Sequence, residues 1–296
     1  TAFILLGGGS RGAAQAGALT VLLDNGITPD LIIGMSAGSW NGAYLALDPT
    51  PERAFQLEGN WVTTTSHEIM GPNRWSLALN AVASRASLYG SAGMQRVAER
   101  YLAGTTFEEL HVPLRIVAAN LVSGEPKIFS SGPLLPAVLA SSAVPGIFPP
   151  IISEQEVLVD GTLAEWTGCT TALEMGATRI FLVSCGGVFR SAPQLRTFRH
   201  ILERSMELHN RASFAQTVFA LRGAGAEVIP IFPEMTAGHM LDFDHAPELV
   251  AAGRLAARQA LRDWEQQKAG NRVPLPAQIP VTQHIEAPIL GVAPSY

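Results

Sequence analysis

The chain has 296 residues, 47% of them hydrophobic and only 15% charged, a composition that provides for a large buried core and argues against disorder over most of its length. Its net charge of −5 argues against nucleic-acid binding, which requires basic patches. The two cysteines, Cys169 and Cys185, are too few for a disulfide framework and lack metal-type spacing, so we interpret them as buried or incidental thiols.

The first half of the chain alternates between strand and helix patterns. Residues 2–6 are a continuous apolar run, typical of a strand buried on both faces, and the helical pattern that follows ends at Gly26. A second strand is predicted at 30–34. Its helix follows directly and stops before Pro51, after which residues 51–104 have a helical pattern.

The second half continues the alternation. Strands are predicted at 114–121, 156–161, 179–185 and 227–233, and helices at 193–222 and 247–268. This order predicts an α/β fold with a mostly parallel central sheet covered by helices on both faces. We expect one folded domain over residues 1–268 and a Pro-rich, extended C-terminal tail over 269–296, which contains five prolines.

No signal peptide or membrane-spanning helix is predicted. The start, "TAFILLGGGSRG", has no basic region ahead of its apolar run, and no uninterrupted apolar stretch approaches the roughly 20 residues that a span requires. We therefore expect a cytoplasmic protein. Because the chain does not begin with Met, the presence of an upstream targeting segment stays an open question.

A serine stands between two glycines in "LIIGMSAGSWNG", residues 31–42. Gly34 and Gly38 leave room for a sharp strand-to-helix turn, which holds the Ser36 hydroxyl clear of the backbone. The N-terminus of the following helix favours negative charge at this point. A chance match is the alternative in a chain with 28 glycines, but the strand–motif–helix context favours a nucleophile.

The stretch "GGGSRG", residues 7–12, ends the first strand and opens the first helix. Gly7, Gly9 and Gly12 fit a dinucleotide-binding fingerprint, but the second strand does not end in the acidic residue that would hold a ribose. The other interpretation is an oxyanion hole made of exposed backbone N–H groups. Loops at the carboxyl ends of neighbouring parallel strands meet at one edge, so this loop and the Ser36 turn can converge.

The base that would accept the serine proton is not predicted to be a histidine. No histidine stands at the end of an apolar strand; the seven are His67, His111, His200, His209, His239, His245 and His284. In "VLVDG", Asp160 does end a strand, and Gly161 permits a tight turn after it. An ordinary Asp-Gly turn is the alternative. Its position at the same sheet edge as Ser36 favours Asp160 as the base.

These motifs, taken together, resemble those of the patatin-like phospholipases, which use a Ser–Asp dyad without histidine. The stretches "GGGSRG", "GMSAG" and "DG" stand in the family's order. Between them, "ASSAVPGIFPP" (140–150) resembles the family's stretch ahead of the base, and "MLDFDHAPELVAAG" (240–253) resembles the segment before the closing helix. The resemblance covers roughly residues 2 to 260.

The resemblance implies a serine acyl hydrolase that cleaves carboxylic esters of lipids, with peripheral membrane contact and with neither a cofactor nor a metal, so that calcium is dispensable. Ser36 would be the nucleophile and Asp160 the general base. Gly8 and Gly9 would donate to the oxyanion, and Arg11 would order their loop or, alternatively, be a surface charge. The remaining loop and turn positions are Gly7, Gly12, Ala37, Gly34, Gly38 and Gly161.

Two departures from the family lie beside the base. Thr162 replaces a small residue, and Glu165 and Trp166 stand where the family has Asn and Pro nearby, so substrate choice is expected to differ. Other functions stay open: an acyltransferase, a short-chain esterase on the same dyad, or a scaffold that binds acyl chains. Four aliphatic residues of the helical middle are either core or the lining of an acyl channel: Leu77, Leu79, Val82 and Leu88.

Overall fold

Strands and helices alternate along the chain, and a computed structural model describes them over residues 1–71, 87–188, 198–235 and 239–270. The strands are β1 (Ala2–Leu5), β2 (Leu31–Met35), β3 (Leu114–Asn120), β4 (Pro126–Phe129), β5 (Ile151–Ile152), β6 (Val157–Val159), β7 (Arg179–Val183), β8 (Gly187–Val188), β9 (Glu227–Ile231) and β10 (Glu234–Met235). The helices are α1 (Gly12–Asp24), α2 (Ala37–Ala46), α3 (Pro51–Thr63), α4 (Ser66–Met70), α5 (Ala92–Leu102), α6 (Leu134–Ser141), α7 (Glu165–Glu174), α8 (Phe198–Gly223) and α9 (Ala246–Lys268).

The central sheet has the order β5-β6-β3-β2-β1-β7-β9 and is parallel from β3 through β9. The strands β4, β5 and β6 join it in antiparallel pairs. The predicted α/β class, with a mostly parallel sheet, is therefore confirmed. Short strands β8 and β10 pair with each other outside this sheet.

Helices cover both faces of the sheet, also as predicted. Alternate residues of β1 point to opposite sides: Phe3 and Leu5 pack with α1 and α9, whereas Ile4 packs with α7 and α8. Phe3 and Ile4 are fully buried. A strand that is buried on both faces is continuously apolar rather than alternating, and this explains the run at the start of the chain.

Close packing of α1 against α9 closes one face of the sheet. A Cβ at Gly17 would lie 2.9 Å from the carbonyl carbon of Val250, and a Cβ at Gly253 would lie 2.6 Å from that of Ala14. Both glycines therefore allow the two backbones to approach closely. Arg254 of α9 also makes a two-pronged ion pair with Glu58 of α3, with N···O distances of 2.9 and 2.6 Å.

The antiparallel strand β6 brings two distant chain segments together. At Val117, β3 is flanked by β2 on one edge and β4 on the other; at Ala119, it is flanked by β4 and β6. Because β4 keeps one edge throughout, β6 lies along the same edge as β2 and runs toward it. The residues that follow these two strands, Ser36 and Asp160, therefore meet near the middle of β3.

Some elements differ from the sequence-based expectations. The hairpin strand β4, the helices α6 and α7, and the two-residue strands β5, β8 and β10 were not predicted. Both β4 and α6 contain proline, at Pro126 and Pro136, and α6 is a mostly buried apolar run without amphipathic periodicity. The predicted helix at 193–222 is α8, which is described from Phe198 onward. The predicted tail after Gly270 lies outside the described residues.

Both cysteines are buried, as expected. Within the described ranges, no helix combines the length and apolarity that crossing a bilayer demands.

Candidate active site

Ser36 occupies a strained turn between β2 and α2. It has φ 52° and ψ −124°, and no other non-glycine residue of the described chain has a positive φ. Such a backbone conformation costs of order 1–3 kcal/mol and persists only where the surroundings enforce it. The predicted sharp turn is therefore present, with the serine at its apex and the N-terminus of α2 directly after it.

The glycines flanking Ser36 are required by close backbone contacts. A Cβ at Gly34 would lie 2.5 Å from the Gly38 carbonyl oxygen, and a Cβ at Gly38 would overlap the Leu5 carbonyl of β1. The turn is also held by hydrogen bonds: Ser36 N–H donates to Ser141 Oγ at 2.9 Å, and Ser39 Oγ donates to Ser36 O at 2.6 Å. Ser141 was not identified from the sequence, although it belongs to the "ASSAVPGIFPP" stretch.

The glycine loop after β1 lies against the elbow. A Cβ at Gly7 would lie 2.9 Å from Ser36 Cβ, and one at Gly8 would overlap Cys185. Gly9 has φ 62°, and a Cβ there would overlap the Met240 carbonyl. Within the described chain, the N–H groups of Gly7, Gly8 and Gly9 donate to no protein acceptor, so they are available to a bound group.

Gly12 and Ala37 begin the two helices that flank this loop. A Cβ at Gly12 would lie 2.9 Å from the Ala37 Cβ and 2.5 Å from the Trp61 ring. Side-chain bulk at Gly12 would therefore separate the helix N-termini that converge on Ser36.

Arg11 is buried and binds the glycine loop through the carbonyl of Gly8. Its Nε donates to Gly8 O at 3.3 Å, and its Nη1 forms an ion pair with buried Glu207 of α8 at 2.7 Å. Because the peptide unit is planar and trans, pulling the Gly8 carbonyl toward Arg11 turns the N–H of Gly9 the opposite way. The surface-charge interpretation of Arg11 is wrong, since its side chain is only 7% exposed.

Asp160 directly follows β6 and lies beside Ser36, and its side chain is buried. Its backbone N–H donates to Ala143 O at 3.0 Å, and its Oδ1 accepts from the Thr162 N–H at 2.8 Å. The carboxylate faces the Ser36 hydroxyl, but Oδ2 has no well-aligned hydrogen bond among the described residues. Catalytic hydrogen bonds are often loose before substrate binds. Gly161 follows, and a Cβ there would overlap the Val117 carbonyl.

Burial raises the pKa of the Asp160 carboxyl above its ordinary value. The nearby Ser36 hydroxyl, and the backbone N–H and side chain of Thr162, lower the pKa by less. The carboxylate is therefore more basic than an exposed aspartate and is better able to accept a proton. Thr162, one of the departures from the family, thus contacts this carboxylate directly.

Two histidines from the end of the described chain, His239 and His245, have partners other than Ser36 and Asp160. His239 Nδ1 lies 3.0 Å from Glu203 Oε2, and its ring stacks on His200. His245 Nε2 lies 3.4 Å from Asp242. No described group of three His, Cys, Asp or Glu side chains is arranged to hold a metal ion.

An apolar cleft opens at Ser36. Its walls come from α2, α3, α4 and α5, from the segment after α6, and from the residues before α9; among them are Trp40, Trp61, Met94, Val144, Phe148 and Phe243. Of the aliphatic residues that the sequence suggested for such a channel, Leu77, Leu79 and Val82 lie outside the described residues. Leu88 packs in a cluster beside the cleft, with Phe148 and Met94.

A series of side-chain hydrogen bonds, which the sequence analysis did not predict, links the cleft to the end of β1. Trp61 Nε1 donates to Asn41 Oδ1 at 2.7 Å, and Asn41 Nδ2 donates to Gln15 Oε1 at 2.9 Å. Gln15 Nε2 in turn donates to the carbonyls of Leu6 and Val183 at 3.0 and 2.8 Å. This series of hydrogen bonds fixes the strand end from which the glycine loop departs.

The site combines a serine at a strained strand-to-helix turn, a glycine loop beside it and a buried carboxylate that faces the serine hydroxyl. On a mostly parallel α/β sheet, this combination defines the class of proteins with a nucleophile elbow. The family model of the patatin-like phospholipases matches residues 3–173, which include both Ser36 and Asp160. The chain belongs to the patatin-like phospholipase family.

Several named proteins have sequences that are similar to part of this chain, as two examples show. Lysophospholipase nte1 of Aspergillus terreus is 30% identical over 195 residues, which are 64% of this chain but 12% of the fungal protein. Patatin-like phospholipase domain-containing protein 6 of Mus musculus is 26% identical over 187 residues, 62% of this chain and 13% of its own length. Among solved structures, VipD from Legionella pneumophila aligns over 88% of this chain and 66% of its own, with 13% identity and a TM-score of 0.49.

Proposed function

We propose that this chain is a serine acyl hydrolase that cleaves carboxylic esters of lipids with Ser36 and Asp160. Asp160 accepts the proton as Ser36 Oγ attacks the ester carbonyl carbon. The tetrahedral intermediate collapses, the alcohol leaves with the proton from Asp160, and the acyl group stays on Ser36. Water then attacks the acyl-enzyme while Asp160 again accepts a proton. As the bond between the acyl carbon and Ser36 Oγ breaks, Asp160 returns this proton to Ser36 Oγ, and the carboxylic acid is released.

The oxyanion of each tetrahedral intermediate would be held by the backbone N–H groups of Gly8 and Gly9, aided by the N-terminus of α2. Donors fixed before the reaction stabilise developing charge without reorganisation. Arg11 is assigned a positioning role, because it orients the Gly8–Gly9 peptide without lining the cleft.

The observation that carries this proposal is the meeting of Ser36 and Asp160 at one edge of β3. A strained serine and a buried carboxylate of raised pKa, with available N–H groups beside them, are the parts that acyl transfer to serine requires. The apolar cleft at Ser36 and the family's lysophospholipase relatives favour a lipid ester as the substrate.

We expect hydrolysis of p-nitrophenyl esters and of lysophospholipid in the absence of calcium. The oxyanion would be held by backbone N–H groups rather than by a metal, so a chelator should change kcat/KM by less than about twofold. Release of p-nitrophenol and mass spectrometry of lipid products measure this, with a mixed panel of phospholipids, lysophospholipids and acyl thioesters. Acyl transfer to an added alcohol exceeding release of free acid would favour the acyltransferase alternative.

The role of Arg11 is tested by Arg11→Lys, which keeps a positive charge opposite Glu207 but removes the Nε–H that binds Gly8 O. We expect kcat to fall about tenfold or more with little change in KM, since removal of an oxyanion donor costs 10²–10³ in kcat and misorientation costs part of that. Steady-state kinetics on a p-nitrophenyl ester measures it.

A second pair of variants separates catalysis from folding. Arg11→Met leaves the buried Glu207 charge with less compensation, so the thermal midpoint should drop. The double variant Arg11→Met with Glu207→Gln should recover most of that stability but not kcat. Recovery of kcat together with stability would assign Arg11 a purely structural role.

A further inference from the structure

One face of α2 lines the apolar cleft from Ser36 inward. The lining residues Ser36, Ala37, Trp40, Asn41 and Tyr44 recur at the spacing of a single helix face. Tyr44 is eight positions after Ser36, and an α-helix rises about 1.5 Å per residue, so the lined face is about 12 Å long. The position of Tyr44 on α2 therefore determines how far the cleft extends from the nucleophile.

Two tyrosines stand at the far end of this face. The rings of Tyr44 and Tyr101 meet edge to face, with centroids 6.0 Å apart and an interplanar angle of 87°. Leu57 of α3 and Leu102 of α5, both buried, complete the lining there. Aromatic and aliphatic side chains thus close the end of the cleft that is distant from Ser36.

Polar groups lie immediately behind Tyr44. The Arg53 guanidinium sits 3.9 Å from the centre of its ring, and Arg53 Nε donates to Tyr44 O at 3.2 Å. The Tyr44 hydroxyl donates to Gln56 Oε1 at 3.3 Å, and Gln56 is exposed. The ring therefore separates an apolar interior from a charged, hydrated surface, where a hydrocarbon chain gains nothing.

We propose that Tyr44, supported by Tyr101, is the determinant of acyl-chain length and that the cleft accepts acyl groups of about eight to ten carbons. With C–C bonds of about 1.5 Å and angles near 111°, an extended chain advances about 1.25 Å per carbon. About ten carbons would span 12 Å, and the tilt of the Tyr44 side chain toward the N-terminus of α2 shortens that reach slightly. The inference rests on the proposed hydrolase function of Ser36.

The length profile of the wild-type chain follows from this geometry. Each methylene that enters the apolar cleft should raise kcat/KM by up to about fourfold. Once the chain reaches the tyrosines, further methylenes must displace a packed ring or emerge beside Arg53. We expect kcat/KM for p-nitrophenyl esters to rise from acetyl to octanoyl or decanoyl and to fall about tenfold or more by palmitoyl.

Variants at the end of the cleft test the assignment. Tyr44→Ala should open the cleft toward Arg53 and raise the palmitoyl-to-octanoyl ratio of kcat/KM at least tenfold. Tyr44→Phe keeps the ring and should keep the wild-type length profile. Phe55→Ala, which truncates a 64% exposed aromatic of α3, should also leave the length profile as it is. If Tyr44→Ala fails to fold, Tyr101→Ala, with Tyr101→Phe as its control, tests the same closed end.

The ratio within one preparation does not depend on the folded fraction, so it reports length selection alone. Two results would overturn the proposed length selection while leaving the hydrolase function in place. One is a wild-type kcat/KM that stays constant up to the palmitoyl ester, and the other is an unchanged palmitoyl-to-octanoyl ratio of kcat/KM in both alanine variants. If wild type cleaves no ester, the proposed function has failed. In that case, titration calorimetry with saturated fatty acids tests the length selection separately. The proposal predicts that decanoate binds more tightly than palmitate.

Discussion

Ser36→Ala should reduce kcat/KM for esters by about 10⁴-fold or more, because loss of a covalent nucleophile removes the route through the acyl-enzyme. The same change should abolish covalent labelling by a fluorophosphonate, which reacts with activated serine hydroxyls. Intact-mass spectrometry of the labelled chain should find a single adduct on the wild type, located on Ser36 by peptide mapping.

The strain at Ser36 offers a control for the folded state. Ser36→Gly also removes the hydroxyl but adopts φ 52° without the steric penalty that Ser36→Ala retains. We expect the glycine variant to have the higher thermal midpoint of the two inactive variants. Labelling that persists undiminished in either variant would disprove the assignment of the nucleophile, and a wild type without labelling or turnover would favour the scaffold alternative.

Asp160→Asn should lower kcat/KM about 100-fold or more, the usual scale for loss of a general base. The amide keeps the size of the carboxylate and can still accept from the Thr162 N–H, but it cannot take the proton from Ser36. In the wild type, kcat/KM should fall as the pH drops through the raised pKa of Asp160, because only the ionised carboxylate acts as the base. Kinetics over a pH series on both proteins measures these effects.

Two histidine variants serve as controls for the base. His239→Gln and His245→Gln should each retain most activity, since their rings are partnered with Glu203 and Asp242. If either change matched the loss in Asp160→Asn while the far-ultraviolet circular dichroism stayed native, a triad that includes histidine would replace the dyad.

Asp160 should also lower the stability of the folded chain at neutral pH. Its folded-state pKa is raised, so between the unfolded and folded values the native state binds more protons, and the free energy of unfolding falls as the pH rises through that window. Below the unfolded pKa this cost is absent. Asp160→Asn should therefore be more stable than wild type at pH 7, with a difference that narrows on acidification. A higher thermal midpoint for wild type at pH 7 would contradict this.

Local signals in the sequence account for much of the catalytic geometry. A strained strand-to-helix turn needs small residues on both sides of the serine, so Gly34 and Gly38 predicted the elbow without tertiary information. Strands buried on both faces are continuously apolar, so the parallel core of the sheet was equally predictable. Among the elements that were missed, β4 and α6 lack such signals: β4 is short and contains a proline, and α6 is almost entirely apolar.

By itself, the sequence determined the alternation of the parallel strands with helices, the elbow at Ser36, the glycine loop and the candidate base, because each depends on residues adjacent in the chain. Only the tertiary structure decided what these parts contact. The antiparallel entry of β6 brings Asp160 against Ser36, and burial then raises the pKa of its carboxyl. Arg11 forms an ion pair with Glu207, which lies 196 positions later in the sequence. The end of the cleft at Tyr44 depends on how α2, α3 and α5 pack against one another. Contacts between segments distant in sequence arise from packing, which no local pattern encodes.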